Sequence, residues 1–204
     1  MAVGDAGGVE PIPAPRGPGR LIMLNGASSS GKSTLAKSLQ SALPEPFLHV
    51  SSDQFVAAGM VPDHHDDGGP FDWWHQVRPR FFAGFHRCLP ALTAASNDLI
   101  VDHIIEFPTW RTSLAQLLAD TDTVLVGVHC QLAELDRREQ ARGDRHPGEG
   151  RAHVLENQIH AFGPYDYEVD TTGGITSELV DSLIQAWRAR PADRALQPAP
   201  AKEN

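Results

Sequence analysis

Residues 26 to 33 read GASSSGKS, and they combine the residue types that hold phosphate groups. Gly26, Gly31, Lys32 and Ser33 fit the spacing G-x-x-x-x-G-K-[ST]. Glycines let the backbone approach a ligand closely, and N–H groups at the start of a helix attract anionic oxygens. We expect Lys32 to reach the β- and γ-phosphates of a nucleotide and Ser33 to offer its hydroxyl to Mg²⁺. The predicted nucleotide-binding residues of this loop are Gly26, Ala27, Ser28, Ser29, Ser30, Gly31, Lys32, Ser33 and Thr34.

Two aspartates follow apolar runs, where a parallel sheet presents its ligand-binding residues. Asp53 is predicted to be a catalytic base that takes the proton from an acceptor hydroxyl as it attacks the γ-phosphorus. The alternative for Asp53 is a helix N-cap, because the residues after it favour a helix. Asp102 ends the run LIVD, the Walker-B pattern, and is predicted to hold Mg²⁺ across from Ser33. The alternative for Asp102 is a structural carboxylate.

Three arginines in the segment DRREQARGDR share one side of a predicted helix. Arg138, Arg142 and Arg145 are four and three residues apart, which places them along one helical face. Positive charge over a γ-phosphate stabilises phosphoryl transfer, so these arginines are predicted to be catalytic and to belong to a lid over about residues 138–153. The alternative is a solvated face paired with Glu134 and Glu139.

Two further clusters allow more than one interpretation. The run DHHDD at residues 63–67 resembles a metal site, but it has no defined ligand spacing and is predicted to be a solvated loop. The run DWWHQVRPRFF at residues 72–82 combines aromatic rings with Arg78 and Arg80. It is either core or the wall of an acceptor pocket, and His103 and Glu106 are further candidates to line that pocket.

The elements that position these residues are predicted from apolar periodicity. Continuous apolar runs of strand length occur at residues 21–25, 47–51, 99–104, 123–130 and 167–171, with helical spacings between them. This alternation predicts an α/β fold, a three-layer sandwich with a five-stranded parallel sheet and a small helical lid. In the second predicted helix, which contains Trp74, Phe81, Phe85 and Leu92, Pro79 and Pro90 are predicted to start, kink or end the element.

Composition and charge limit the possible functions. The chain has 204 residues with 41% hydrophobic residues, enough for one core. A formal net charge of −9 disfavours nucleic acid as a partner. The N-terminal residues show no secretory signal, and no run is long enough for a membrane span, which predicts a cytoplasmic protein without membrane insertion. Cys88 and Cys130 are predicted to be reduced core thiols. Residues 1–19 and 190–204 are predicted disordered tails around a kinase domain at 20–189.

The phosphate loop alone serves motors, GTPases and kinases. No Asn-Lys-x-Asp guanine motif occurs in the sequence, and the chain is short for a motor, so a small P-loop kinase is favoured.

Taken together, LIMLNGASSSGKS, PEPFL, SSDQF, LIVD, VGVHC, REQARGDR and YDYEVDTT resemble the chloramphenicol phosphotransferase-like family of P-loop kinases. The resemblance covers roughly residues 20–188. It implies ATP- and Mg²⁺-dependent phosphorylation of a hydroxyl on a small molecule, with Asp53 as base and the three lid arginines at the phosphates. Residues 54–96, where the acceptor pocket would form, depart from the chloramphenicol-modifying member.

The sequence therefore predicts an ATP-dependent small-molecule O-phosphotransferase, with antibiotic modification as one role. The alternatives are a P-loop kinase for another metabolite, nucleoside or sugar, a kinase acting as a toxin on a nucleotide sugar, and an ATP-binding regulator without catalysis. Thr171 and Thr172, after the fifth predicted strand, are expected to contact the nucleotide base region. The oligomeric state is left open.

Overall fold

A computed structural model describes residues 17–61, 70–142 and 148–198, with side chains described from residue 77 onward in the second range. The strands are β1 (Leu21–Gly26), β2 (Phe47–Ser51), β3 (Asp98–His103), β4 (Thr123–His129) and β5 (Tyr167–Asp170). The helices are α1 (Lys32–Ala42), α2 (Ser52–Ala57), α3 (Pro70–Ala94), α4 (Pro108–Leu117), α5 (Leu132–Arg142), α6 (Glu149–Leu155) and α7 (Ser177–Arg188).

The five strands form one parallel sheet in the order β2-β3-β1-β4-β5. The predicted α/β fold with a five-stranded parallel sheet is confirmed. β1 lies in the centre, so its carboxyl end, which leads into the phosphate loop, is flanked by the carboxyl ends of β3 and β4. The strand order therefore brings Asp102 of β3 beside the phosphate loop, as ligand sites in parallel sheets require.

Helices cover both faces of the sheet, and each face has its own apolar core. Alternate residues of β1 point to opposite faces: Ile22 and Leu24 pack with α1 and α7, whereas Leu21 and Met23 pack with α3 and α4. All four β1 side chains are at most 1% exposed. This two-sided burial explains why the strands are continuous apolar runs instead of alternating patterns.

Helix α3 continues through both of its prolines. Both prolines lie inside the helix, so of the predicted start, kink or end of the element, the start and the end are wrong. Each proline removes one backbone hydrogen bond. Phe85 and Leu89, between the two prolines, are 3% and 0% exposed in the core under the sheet. Their burial offsets the lost hydrogen bonds and keeps the helix continuous.

The segment after α7 is ordered as far as residue 198, so the predicted tail beginning at residue 190 is wrong for these residues. Arg190 and Arg194 both pair with Asp122, at the start of β4. The Ala195 N–H donates to Asp166 Oδ1 over 2.7 Å. Leu196 is only 3% exposed and joins the core that also contains α3 and α4. Low sequence complexity suggested a tail, but one buried leucine and two arginines attach the segment to the domain.

The two cysteines differ in environment. Both thiols are free, in agreement with the predicted reduced state, but Cys88 is exposed and only Cys130 is partly buried. The prediction that Cys88 belongs to the core is therefore wrong. Within the described residues no helix is long and apolar enough to cross a membrane.

We predict that Leu196→Ala lowers the free energy of unfolding by about 2 kcal/mol or more, because it removes a fully packed side chain. Urea denaturation followed by circular dichroism measures this loss. Gln197→Ala, at the exposed neighbouring position, is the matched control and should leave the midpoint nearly unchanged. Equal midpoints for both variants would contradict the assignment of residues 190–198 to the folded domain.

Candidate active site

The phosphate loop lies between the end of β1 and the start of α1. Gly31 precedes α1 with φ 92°, and Ser29 also has a positive φ, 61°. Positive φ favours glycine at position 31, where a Cβ would also lie 3.3 Å from the Arg138 guanidinium. Lys32 is 7% exposed. Its Nζ donates to the Ala27 carbonyl over 2.7 Å, so the ammonium group lies against the phosphate loop. This is the geometry expected of a loop built to surround phosphate oxygens.

The side chain of Thr171, a residue predicted to contact the nucleotide, supports the phosphate loop. Its side chain is fully buried, and its Oγ1 lies 2.5 Å from the Ser30 carbonyl and 2.9 Å from the His129 carbonyl, either of which can accept its single proton. The Thr171 side chain therefore supports the loop, and contact of the nucleotide with the backbone near Thr171 stays a prediction. Thr172 is half-buried, and its Oγ1 accepts the Gln131 N–H. Both threonines link β5 to neighbouring segments.

A second polar network holds the residue just before the loop. Asn25 is 1% exposed, and its amide donates to Tyr165 Oη over 2.7 Å and accepts the Ile105 N–H over 2.8 Å. The Tyr165 ring lies flat against β4 at Gly127, where a Cβ would meet the ring at 2.6 Å. Burial raises the pKa of Tyr165 to about 12. The end of β1 is thus tied to the β3–α4 connection and to the segment before β5.

Asp102 and Ser33, the two predicted metal ligands, lie together at the mouth of the loop. Ser33 Oγ donates to Asp102 Oδ2 over 2.5 Å, Lys32 Nζ is 4.0 Å from Asp102 Oδ1, and His49 Nε2 is 3.8 Å from Oδ2. Burial alone would raise the pKa of Asp102, but His49, Lys32 and Ser33 outweigh it and hold the pKa below its usual value. The carboxylate is therefore ionised, and a hydroxyl and a carboxylate oxygen at this spacing are suitable Mg²⁺ ligands.

Asp53 lies in the first turn of α2 and lines the same cavity as Lys32 and Asp102. The N-cap of α2 is Ser51, whose Oγ accepts the Asp53 N–H, and Gln54 completes a capping box. The alternative of Asp53 as the helix cap is therefore wrong, because a neighbouring serine performs that function. Asp53 is exposed towards the cavity, as a proton acceptor for a bound hydroxyl must be.

A cavity of about 280 Å³ extends from the phosphate loop past Asp53 to a wall formed by α3 and the β3–α4 connection. The wall carries Arg78, whose guanidinium donates to Glu106 over 2.5 Å and lies 5.0 Å from the centre of the Phe82 ring and 5.5 Å from Trp110. Of the two interpretations of residues 72–82, the pocket wall applies to Arg78, Phe81 and Phe82. Residues 63–67 lie outside the described residues.

Behind this wall two histidines form a buried pair. His86 Nε2 and His103 Nε2 are 2.9 Å apart, and the side chains are 4% and 2% exposed. Burial, with a smaller effect of Arg87, lowers the pKa of His86 to about 4, and burial lowers that of His103 well below its usual value. The pair is neutral at pH 7, with one nitrogen donating to the other. His103 also lines the cavity, as the sequence suggested.

The lid arginines take up different positions. Arg138 donates to Glu134 Oε1 over 2.7 Å and to the Thr171 carbonyl over 2.5 Å, which fixes its guanidinium beside Gly31. Arg142 is exposed and borders both this cavity and a second one of about 310 Å³ over Thr34 and Gly174. Arg145 lies outside the described residues.

The alternative of a solvated arginine face applies only in part. Glu134 does pair with Arg137 and Arg138. Glu139, however, is only 3% exposed, and its two oxygens accept the N–H groups of Gly148 and Gly150 over 2.9 and 2.6 Å. Glu139 therefore attaches α6 to α5 through these two bonds.

Helix α6 contributes two residues to the cavity that sequence reasoning missed. Glu149 and His153 line it, and both contact Ser28 of the phosphate loop. His49, beside Asp102, was missed as well. None of these residues belongs to a recognisable motif. Glu149 and His153 lie 121 and 125 residues after Ser28 in the sequence. Only the strand order and the fold of the lid bring them to the site.

A family model for chloramphenicol phosphotransferase-like proteins matches residues 19–188, nearly the whole described domain. The chain belongs to the chloramphenicol phosphotransferase-like family. The Mycobacterium tuberculosis H37Rv protein named "Putative O-phosphotransferase Rv2636" is 31% identical over 191 residues, covering 85% of this chain and 84% of that protein. The predicted enzyme class, a phosphotransferase, is confirmed for this family member.

Solved kinases share the fold of this phosphotransferase. The M. tuberculosis APS kinase CysC, in complex with AMPPNP and APS, has a TM-score of 0.59 at 17% identity, covering 84% of this chain and 99% of that one. Shikimate kinase from Acinetobacter baumannii, in complex with shikimate, has a TM-score of 0.57 at 14% identity, covering 87% and 97%. At these identities the likeness establishes the P-loop kinase fold of the domain.

We predict that the family member loses stability as the pH falls from about 6.5 to about 4. In this window the unfolded chain protonates His86 while the folded protein keeps it neutral, so unfolding takes up a proton. The loss is about 1.4 kcal/mol per pH unit for this group, on the order of 3 kcal/mol in total. Urea denaturation of the wild type and His86→Phe at several pH values measures it. The variant should show a shallower slope, and parallel slopes would contradict the assignment.

Proposed function

We propose that the protein transfers the γ-phosphate of ATP to a hydroxyl group of a small molecule. One observation carries the proposal: a single cavity joins the phosphate loop and Asp102 to Asp53 and to a wall of aromatic and charged side chains. Phosphoryl transfer needs a phosphate-binding side and an acceptor side within reach of each other. A protein that only senses ATP has no need of the acceptor half. The predicted cytoplasmic location belongs to the same proposal.

Lys32 and the lid arginines would offset the negative charge that the transferring phosphoryl group carries. Arg142 is the lid residue best placed for this, since it is exposed and borders both cavities. Arg138 pairs with Glu134 and donates to the Thr171 carbonyl, and beside Gly31 it would border the nucleotide. The second cavity, between Arg138 and Gly174, is the place we assign to the base and ribose.

Ser33 and Asp102 would hold Mg²⁺, the second of them directly or through water. When bound, Mg²⁺ supplies positive charge to the phosphate oxygens and fixes their orientation. The Ser33 oxygen would offer a lone pair to the metal while its hydroxyl proton stays donated to Asp102. Lys32 and His49 keep the Asp102 carboxylate ionised in either arrangement.

In the reaction, Asp53 accepts the proton of the acceptor hydroxyl, and the hydroxyl oxygen forms a bond to the γ-phosphorus. The bond between the γ-phosphorus and the oxygen bridging to the β-phosphate breaks. The products are the phosphorylated acceptor, ADP and one proton, which Asp53 later releases to water. The lid segments α5 and α6 border the cavity and exclude water, which would otherwise compete as acceptor.

The acceptor remains a choice between an antibiotic such as chloramphenicol and another hydroxylated metabolite, nucleoside or sugar. Purified protein is incubated with Mg²⁺, ATP and a panel of hydroxylated compounds that begins with chloramphenicol. Mass spectrometry then detects products heavier by one phosphoryl group. A product with chloramphenicol supports antibiotic modification, and a product with another compound supports a metabolite kinase. Bound ATP that is never transferred to any acceptor would favour the regulator.

We predict that Asp53→Asn retains ATP binding but lowers the transfer rate by about 10²-fold or more, because general-base catalysis contributes roughly 10²–10⁴-fold. Calorimetry gives the ATP affinity, and product formation gives the rate. Ala57→Ser, at the other end of α2, should leave both quantities near wild type. Undiminished turnover in Asp53→Asn would remove this residue from the mechanism.

We predict that Glu106→Gln raises the KM for the acceptor by about 10-fold while the KM for ATP stays within about 2-fold, since a charge-assisted hydrogen bond contributes about 1.5–3 kcal/mol. The substitution releases the Arg78 guanidinium in the acceptor wall and leaves the phosphate loop intact. Steady-state kinetics with each substrate varied in turn measures both constants. A change confined to the KM for ATP would contradict the assignment of Glu106 to the acceptor side of the cavity.

A further inference from the structure

Ser28 lies in the middle of the phosphate loop, yet its polar groups face helix α6. Its N–H donates to His153 Nδ1 over 3.3 Å, and its Oγ donates to Glu149 Oε2 over 3.3 Å. Its carbonyl oxygen lies so close to Gly150 that a Cβ at that position would be 2.6 Å away. The residue is only 4% exposed. The lid helix and the phosphate loop therefore contact each other through one serine.

Helix α6 is itself held by the arginine-bearing helix. The buried Glu139 carboxylate of α5 accepts the N–H groups of Gly148 and Gly150, at the start of α6. Gly148 has φ 89°, a conformation that glycine adopts without strain. Arg138 and Arg142 belong to α5, so the path from the lid arginines to Ser28 consists of one buried carboxylate and one short helix.

The contact with His153 has a definite chemical requirement. Nδ1 can accept the Ser28 N–H only if that nitrogen carries no proton. Burial lowers the pKa of His153 below its usual value; Lys32 and Arg78 also lower it, whereas Glu106 and Glu139 act in the opposite direction. At 7% exposure the imidazole is largely shielded from water. Neutral His153 is therefore suited to hold a backbone N–H in place.

We propose that His153 and Glu149 are positioning residues that fix the shape of the phosphate loop through Ser28, so that lid docking and nucleotide binding favour each other. This rests on the proposed function only in that the loop binds nucleotide phosphate. A loop already held in its binding shape loses less conformational freedom when phosphate oxygens engage its N–H groups. By thermodynamic linkage, whatever the docked lid adds to nucleotide affinity, the nucleotide adds to lid docking.

The test is the affinity of the full chain for AMPPNP in the presence of Mg²⁺, measured by titration calorimetry. His153→Leu and Glu149→Ala remove the two acceptors and should each weaken binding by about 10-fold, which corresponds to about 1.4 kcal/mol. His153→Asn and Glu149→Gln keep an acceptor oxygen near the original atom and should stay within about 3-fold of wild type, since the hydrogen bond is retained. A merely structural role would not separate each pair.

Leu155→Ala is the matched control, because Leu155 belongs to the same helix and is 53% exposed. It should bind AMPPNP as the wild type does. Thermal midpoints recorded for every variant identify any that fail to fold, and the two independent pairs keep the test valid if one of them does. Amide exchange of residues 148–155 should also slow on addition of AMPPNP to the wild type and to Leu155→Ala, but not to His153→Leu.

Folded His153→Leu and Glu149→Ala proteins that bind AMPPNP as tightly as the wild type would overturn the proposal. So would His153→Asn if it lost as much affinity as His153→Leu, because the hydrogen bond would then not be the cause. Failure of the proposed function looks different. In that case the wild type itself would bind no Mg²⁺-nucleotide, and both proposals would fall together.

Discussion

The site is organised around one constraint, a carboxylate that is ionised where little water reaches it. Asp102 is 6% exposed at the carboxyl end of β3, and such a charge is costly unless charged or hydrogen-bonding groups surround it. Ser33 and Lys32, at the start of α1, and His49, in β2, supply those groups. The strand order that places β3 between β1 and β2 is what allows the three groups to converge on it. The Asp102 carboxylate thus holds the start of α1 against β3, and its negative charge also suits a magnesium ion.

The phosphate loop is supported on several sides, and the supports differ in how they are attached to the sheet. Thr171 lies behind it and Asn25 before it, both nearly inaccessible to water and bonded to strands of the sheet. In front, Ser28 meets α6, a short helix whose attachment depends on Glu139. The rear supports are bonded to strands of the sheet, whereas the front support belongs to a seven-residue helix that Glu139 attaches to α5.

The sequence predicts those features that depend on local pattern. The central strands β1, β3 and β4 are largely buried apolar runs, and the edge strands β2 and β5 keep shorter apolar stretches, so all five were recognisable. The phosphate loop was recognisable from its glycine spacing. Features that depend on packing were not. Proline is disfavoured inside a helix, so Pro79 and Pro90 argued against a continuous α3. The burial of Phe85 and Leu89, which offsets that cost, is visible only in the folded structure. Ser28 and His153 are 125 residues apart in the sequence, and no motif near either residue indicates that they are in contact.

Gly127 shows how far the functional region extends beyond the cavity. It lies within β4, and it leaves room for the Tyr165 ring, whose hydroxyl holds Asn25 at the entrance to the phosphate loop. A methyl group added at Gly127 would push that ring away and release Asn25, although no atom of Gly127 faces a substrate. Among variants of this phosphotransferase, an alanine at residue 127 is therefore expected to impair function. A survey restricted to pocket-lining positions would misclassify it as neutral.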